Sequence, residues 1–140
     1  MSAEIWVDVK VVNPRNLKRG FTVRALVDNG SLDSAMPGRL LRRIGVKPKG
    51  VERYEAWAGR AHRPPWGEAT LYVQGKFGTT RVTFEPKSEI PTIGALALET
   101  LGFDIDMGNG QLRSARRIGR GPRRRSKALL QPEARPPGRR

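Results

Sequence analysis

The sequence predicts an all-β domain of short strands with one or two short helices, followed by a disordered basic tail, and three observations predict it. Apolar residues alternate with polar ones in several runs between residues 5 and 84, the period-2 signature of half-buried strands. Only two segments, opening at Pro37 and Pro91, read as helical. The charge is lopsided, because residues 113–140 hold eleven Lys or Arg and one acid, a net of +10 out of +14, leaving +4 for residues 1–112. That last segment also carries four of the eleven prolines and few large apolar groups, so it cannot bury enough surface to offset its ordering entropy. The expected folded domain is residues 1–112, with 113–140 as the Arg-rich tail.

Ile5, Val7, Val9 and Val11 alternate with Trp6, Asp8 and Lys10, which predicts a first strand ended by Asn13-Pro14. Residues 16–20 are polar and turn-rich and read as a loop; residues 21–27 resume as a second strand, making a hairpin with the first. Asp28 stands at the far end of that hairpin. Pro37 opens a short helix in which Leu40, Leu41 and Ile44 share one face and Gly45 suits the stop. Residues 51–57 and those from Ala61 onward flank Ala58-Gly59-Arg60, a hairpin tip. Ala69, Leu71 and Val73 line one side of the next strand, Gly75 makes a turn, and residues 79–84 form its partner. Residues 91–102 read as an apolar helix of about ten residues with Leu96, Leu98 and Leu101 available for packing. Residues 103–107, a Gly108-Asn109-Gly110 turn and Gln111-Leu112 close the domain, and the chain has no internal repeat.

A chain of 140 residues with 37% hydrophobic residues supports one modest core, not two. It has no cysteine, which excludes disulfides and thiolate metal sites and fits a reducing compartment. His62 is the single histidine, and nothing near it has the spacing of a metal site or of a Ser-His-Asp triad. The N-terminus alternates and carries acids, unlike a signal peptide, and no apolar run approaches the roughly 20 residues that span a bilayer. The expectation is a cytoplasmic protein without membrane contact.

The residues that carry chemistry lie in the run from Phe21 to Pro37, which drives Asp28 out of an apolar strand straight into the turn Asp28-Asn29-Gly30. Taken alone, the triplet equally suits an ordinary hairpin turn, since Asn-Gly is common turn chemistry. Its surroundings say more. A strand ending in two apolar residues, then Asp-Thr-Gly or Asp-Ser-Gly, then a segment leading to a helix is the pattern of retropepsin-like aspartic proteases, which this run resembles. Three further features fall in the order seen in the single-domain bacterial branch of that family: Asn13-Pro14 closing the first strand, the tip Ala56-Trp57-Ala58-Gly59-Arg60 where the family has a flap, and Ile93-Gly94 leading into a helix. The resemblance spans about residues 4–112. Asn29 departs from it, standing where the family has Thr or Ser.

The resemblance implies an acid-protease barrel and an aspartic endopeptidase without metal or cofactor. Two Asp side chains about 3 Å apart cannot both ionise, so they share a proton, one serving as base on a water and the other as acid. This chain has one such Asp, because the only other Asp-x-Gly, Asp106-Met107-Gly108, follows an apolar helical segment. A protease of this kind must be a homodimer with its two-fold axis between two copies of Asp28. Asp28 is then the catalytic residue, Asn29, Gly30 and Ser31 form the active-site loop, and Gly30 lets backbone approach where a Cβ would crowd the dyad. Trp57, Ala58 and Gly59 are the flap over an extended peptide substrate, and Ile93 and Gly94 support the loop. Because one proton must stay on the dyad, activity is expected at acid pH.

Two other readings remain open. One is a dimer of the same fold with weak or no catalysis that binds peptide or acts in assembly, because Asn29 alters the bond that Thr or Ser makes across the axis. The other is a small basic protein binding nucleic acid non-specifically through its tail, which has the charge for phosphates but no aromatic residues to stack bases. Trp6 and Trp66 read as packing residues, His62 as a rim residue, and Asp33, Asp104 and Asp106 as turn or surface acids.

Overall fold

The computed structural model describes residues 4–53 and 62–115. The expected flap tip, Trp57, Ala58 and Gly59, and the tail beyond Ala115 lie outside them.

The first hairpin joins β1 (Trp6–Asn13) to β2 (Asn16–Val27), paired from Trp6↔Leu26 to Asn13↔Asn16. Alternation does what it predicts: Val7, Val9 and Val11 are buried, while Asp8 and Lys10 face solvent. Residues 16–20, expected as a loop, are instead strand. The turn is confined to Pro14 and Arg15, where Asn13 Oδ1 accepts the Arg15 amide at 2.8 Å. Polarity misleads there because residues 16–20 of β2 are exposed on both faces, although they pair with the buried end of β1. A strand absent from the sequence reading, β3 (Ser34–Pro37), precedes α1 (Gly38–Arg43). Leu41 and Ile44 are buried on the expected face of this helix and Leu40 half-buried.

β4 (Gly50–Arg53) pairs with the start of β5 (His62–Val73), which bends on to pair with β6 (Lys76–Glu85) from Trp66↔Thr83 to Val73↔Lys76. Both β5 and β6 run longer than their alternating segments. Next come β7 (Thr92–Ile93) and α2 (Ala95–Leu101), whose buried face is Ala97, Leu98 and Leu101, with Leu96 half-buried. Gly102 stops α2 in the left-handed region at φ 78°, a position that favours glycine. β8 (Phe103–Asp106) and β9 (Gln111–Ser114) form a separate two-stranded ribbon.

The strand order is β1-β2-β7-β3-β6-β5-β4, and β5 also pairs with β1 through Lys10↔Tyr72 to Val12↔Thr70, so six strands close on themselves. Closure removes most free edges and encloses one core of aliphatic side chains, among them Val9, Val11, Met36, Leu41, Leu71, Val82 and Ile93. The two-residue β7 is the keystone of the ring. It lies parallel to β2 (Leu26↔Thr92) and antiparallel to β3 (Ala35↔Thr92), wedged between two strands that precede it by more than fifty residues. The loop joining β2 to β3 must therefore pass over the end of β7, and this loop is residues 28–33.

Candidate active site

Asp28 is the first residue past β2. Its backbone is fixed before its side chain is considered, because its amide donates to Ile93 O at 2.8 Å while its carbonyl accepts the Ser31 amide at 3.2 Å. The half-buried carboxylate is held at both oxygens: the Gly30 amide donates to Oδ1 at 3.1 Å and Ser31 Oγ donates to Oδ2 at 2.9 Å. Donors to both oxygens leave few rotamers open, so the carboxylate is aimed by the loop that follows it. A Cβ at Gly30 would stand 3.3 Å from Asp28 Oδ1, which is why this position suits glycine.

The loop rests on the start of α2. Ala95 donates its amide to Ser31 O at 2.7 Å and Leu96 to Leu32 O at 3.1 Å, while the Gly94 amide donates to the buried Ser34 Oγ at 3.0 Å. Gly94 packs so closely that a Cβ there would meet Leu32 O at 2.8 Å and the Asp33 carbonyl carbon at 2.7 Å. Of the residues expected to form the site, Asp28, Asn29, Gly30, Ser31, Ile93 and Gly94 thus converge on one loop and its support. Asn29 is exposed at the tip.

Beside the loop opens a cavity of about 510 Å³, lined by Gly30, Ser31, Asp33, Trp66, Arg81 and Glu85, among others. Sequence reasoning missed most of this wall. Asp33, read as a turn or surface acid, has a side chain only 11% exposed and pairs with Arg81 at 3.3 Å. The Arg81 guanidinium lies 4.1 Å from the Trp66 ring centroid, so Trp66, expected only as packing, forms a cation–π stack at the cavity edge. Thr83 donates to Glu85 Oε2 at 2.6 Å and fixes the remaining acid. The available signal was that Asp33 lies five residues from Asp28; the burial of both partners comes only from the β3–β6 pairing. Asp104 is exposed as expected, and Asp106 is capped by Asn109, whose side-chain hydrogen bond, followed by that of its amide, holds the carboxyl below its ordinary range.

On the other side of Asn29 an apolar groove of about 500 Å³ runs along α2 and the ribbon, lined by Ala95, Leu98, Phe103, Ile105 and Met107. Among the described residues no group of three or more His, Cys, Asp or Glu could hold a metal ion, and no helix is long and apolar enough to cross a membrane.

No protein-family profile matches the chain, and no curated protein matches it. Solved structures do. The retroviral protease-like domain of Ddi1 from Leishmania major superposes with a TM-score of 0.51 at 17% identity, over 81% of this chain and 90% of that domain. A retropepsin-like aspartic protease from Rickettsia conorii aligns at 14% identity over 76% of this chain and 90% of its own, with a TM-score of 0.42, too low to bear on the argument. The strand order, the threaded β7 and the likeness to the Ddi1 domain together establish that this chain has the retropepsin-like, aspartic protease-type fold.

Proposed function

We propose that the protein is an aspartic endopeptidase whose active site is completed by a second copy of the chain, each copy contributing Asp28. The observation that carries this reading is the Asp28 carboxylate, aimed by donors from Gly30 and Ser31 and standing at the open end of the barrel between a polar cavity and an apolar groove. In the paired site one Asp28 takes a proton from water as the water oxygen attacks the peptide carbonyl carbon; the other gives its proton to the carbonyl oxygen. Collapse of the tetrahedral intermediate breaks the C–N bond, and the leaving nitrogen takes up a proton from the dyad. Preorganised carboxylates spare the reaction part of the reorganisation that water would demand.

The second copy is supported by the apolar groove next to Asn29, where Met107 is 61% exposed and Phe103 and Ile105 line the wall. A two-fold contact there brings Asn29 loops together and covers the groove. Substrate enters as an extended strand beside residues 30–33, with the Arg81-backed cavity receiving a side chain. The test is cleavage of a diverse peptide mixture from about pH 4 to 7 by the intact protein and by Asp28→Ala at equal concentration. Products that require Asp28 are expected; their absence in both samples overturns catalysis.

One observation favours a second reading, a catalytically weak dimer that binds peptide: Asn29, exposed at the loop tip, replaces Thr or Ser. Its planar amide is longer and changes the geometry of any bond across the axis. Replacing Asn29 with Thr separates the two readings. A dyad held slightly apart gains activity, whereas a groove incompetent for catalysis gains none.

A further inference from the structure

At the end of the barrel away from Asp28, two segments bring cations around one concavity. The β1–β2 turn supplies Arg15, the residues after α1 supply Lys47 and Lys49, and together with Asn13, Pro14, Val46 and Pro48 they line a groove of about 680 Å³. Its rim is braced, since Asn13 Nδ2 donates to Ile44 O at 2.9 Å and the Arg19 guanidinium donates to Arg43 O, tying the hairpin to the end of α1. Gly45, at φ 88°, turns the chain from the helix into the groove wall. One acid lines the groove among the described residues, Glu68, and it is paired with Lys49 at 2.9 Å on an exposed surface. The seven intervals of β1 separate this groove from the Asp28 end by roughly 23 Å at 3.3 Å per residue.

We infer that this groove is a docking surface for the phosphate backbone of a single-stranded nucleic acid, separate from the Asp28 site and from the Arg-rich tail. Cations on both walls of a concave channel match a linear polyanion, which threads between them and is contacted from two sides. A flat anionic membrane fits the same hollow less well, because a plane cannot follow both of its walls. The bracing matters as much as the charge. Arg15, Lys47 and Lys49 sit on backbone fixed by Asn13 and Gly45, so docking orders few chain torsions. No aromatic side chain lines the groove, so the contact is to phosphate and indifferent to base sequence.

The test uses the full chain and a fluorescent oligothymidylate, with affinity measured by anisotropy across a salt series. The triple variant Arg15→Gln, Lys47→Gln, Lys49→Gln removes up to three phosphate contacts, and at roughly 0.7 per contact the slope of log affinity against log salt falls by about 2. A control variant, Lys10→Gln, Arg24→Gln, Lys87→Gln, removes the same charge from exposed positions outside the groove and keeps the parental slope. The variant Glu68→Gln frees Lys49 and tightens binding several-fold, a gain that misfolding does not produce. Equal losses in the two triple variants overturn the proposal in favour of net charge and tail alone, as does absence of binding by the parent. Tight binding to phosphatidylserine vesicles that depends on the groove, with none to the oligonucleotide, replaces it with a membrane surface.

Discussion

The proposed chemistry rests on a handful of contacts around one carboxylate, and each can be removed singly. Ser31→Ala deletes the donor to Asp28 Oδ2 without changing buried volume much; the protein stays folded and turnover falls about tenfold, read as kcat with little change in KM. Gly30→Ala sets a methyl 3.3 Å from Oδ1, so the carboxylate must give by a few tenths of an ångström; the expected loss of rate is smaller than the about hundredfold that a 1 Å displacement costs. Gly94→Ala acts differently, because its Cβ meets backbone of residues 32 and 33 that cannot move without undoing β7. It destabilises the fold by about 3 kcal/mol or more, seen as a lowered midpoint in urea. The Asp28 motif was legible in sequence because its signal is local: an apolar strand, an acid and a glycine. Trp66, Arg81 and Asp33 were not, since their stack brings together residues from the β2–β3 loop, β5 and β6 that no spacing rule connects.

Among the elements, those with a strong period were readable and those defined by their neighbours were not. β1 declares itself by alternation. β3 has four residues, one of them Pro37, and is a strand only because β6 and β7 flank it. Its buried Ser34 hydroxyl accepts the Gly94 amide, so Ser34→Ala leaves that amide without a partner and costs about 1–3 kcal/mol, measurable by the same urea titration. At the ribbon turn, Asp106 offers a check by titration. Asn109 hydrogen bonds hold its carboxyl below its ordinary value, so the charged form favours the folded state. That contribution is fully present above the unfolded-state value and disappears as pH falls through the lower folded value. In Asn109→Ala, NMR titration should find the Asp106 carboxyl moved back up towards the ordinary range.

For the whole molecule, the proposed two-copy site makes activity depend on association. Specific activity is expected to rise with protein concentration until the dimer saturates, in step with the weight-average mass from sedimentation. Met107→Glu, placed in the apolar groove, should shift both curves to higher concentration together, whereas a shift in neither removes that groove from the interface. Closure of the barrel could be expected from many short strands and few helices, but the ring order could not, because β7 is too short to announce a partner.

That threading of β7 also sets an order in time. The loop that carries Asp28 leaves β2 early in the chain, yet the groups that hold it, Ile93 O, the Gly94 backbone and the Ala95 amide, are translated more than sixty residues later. Contacts of such long sequence separation form late, after loop-closure entropy has been met. A nascent chain thus displays an acid on an unsupported loop through most of its synthesis. The keystone that completes the barrel also fixes the carboxylate, so the proposed endopeptidase becomes competent to cut only once its own strands are folded out of reach.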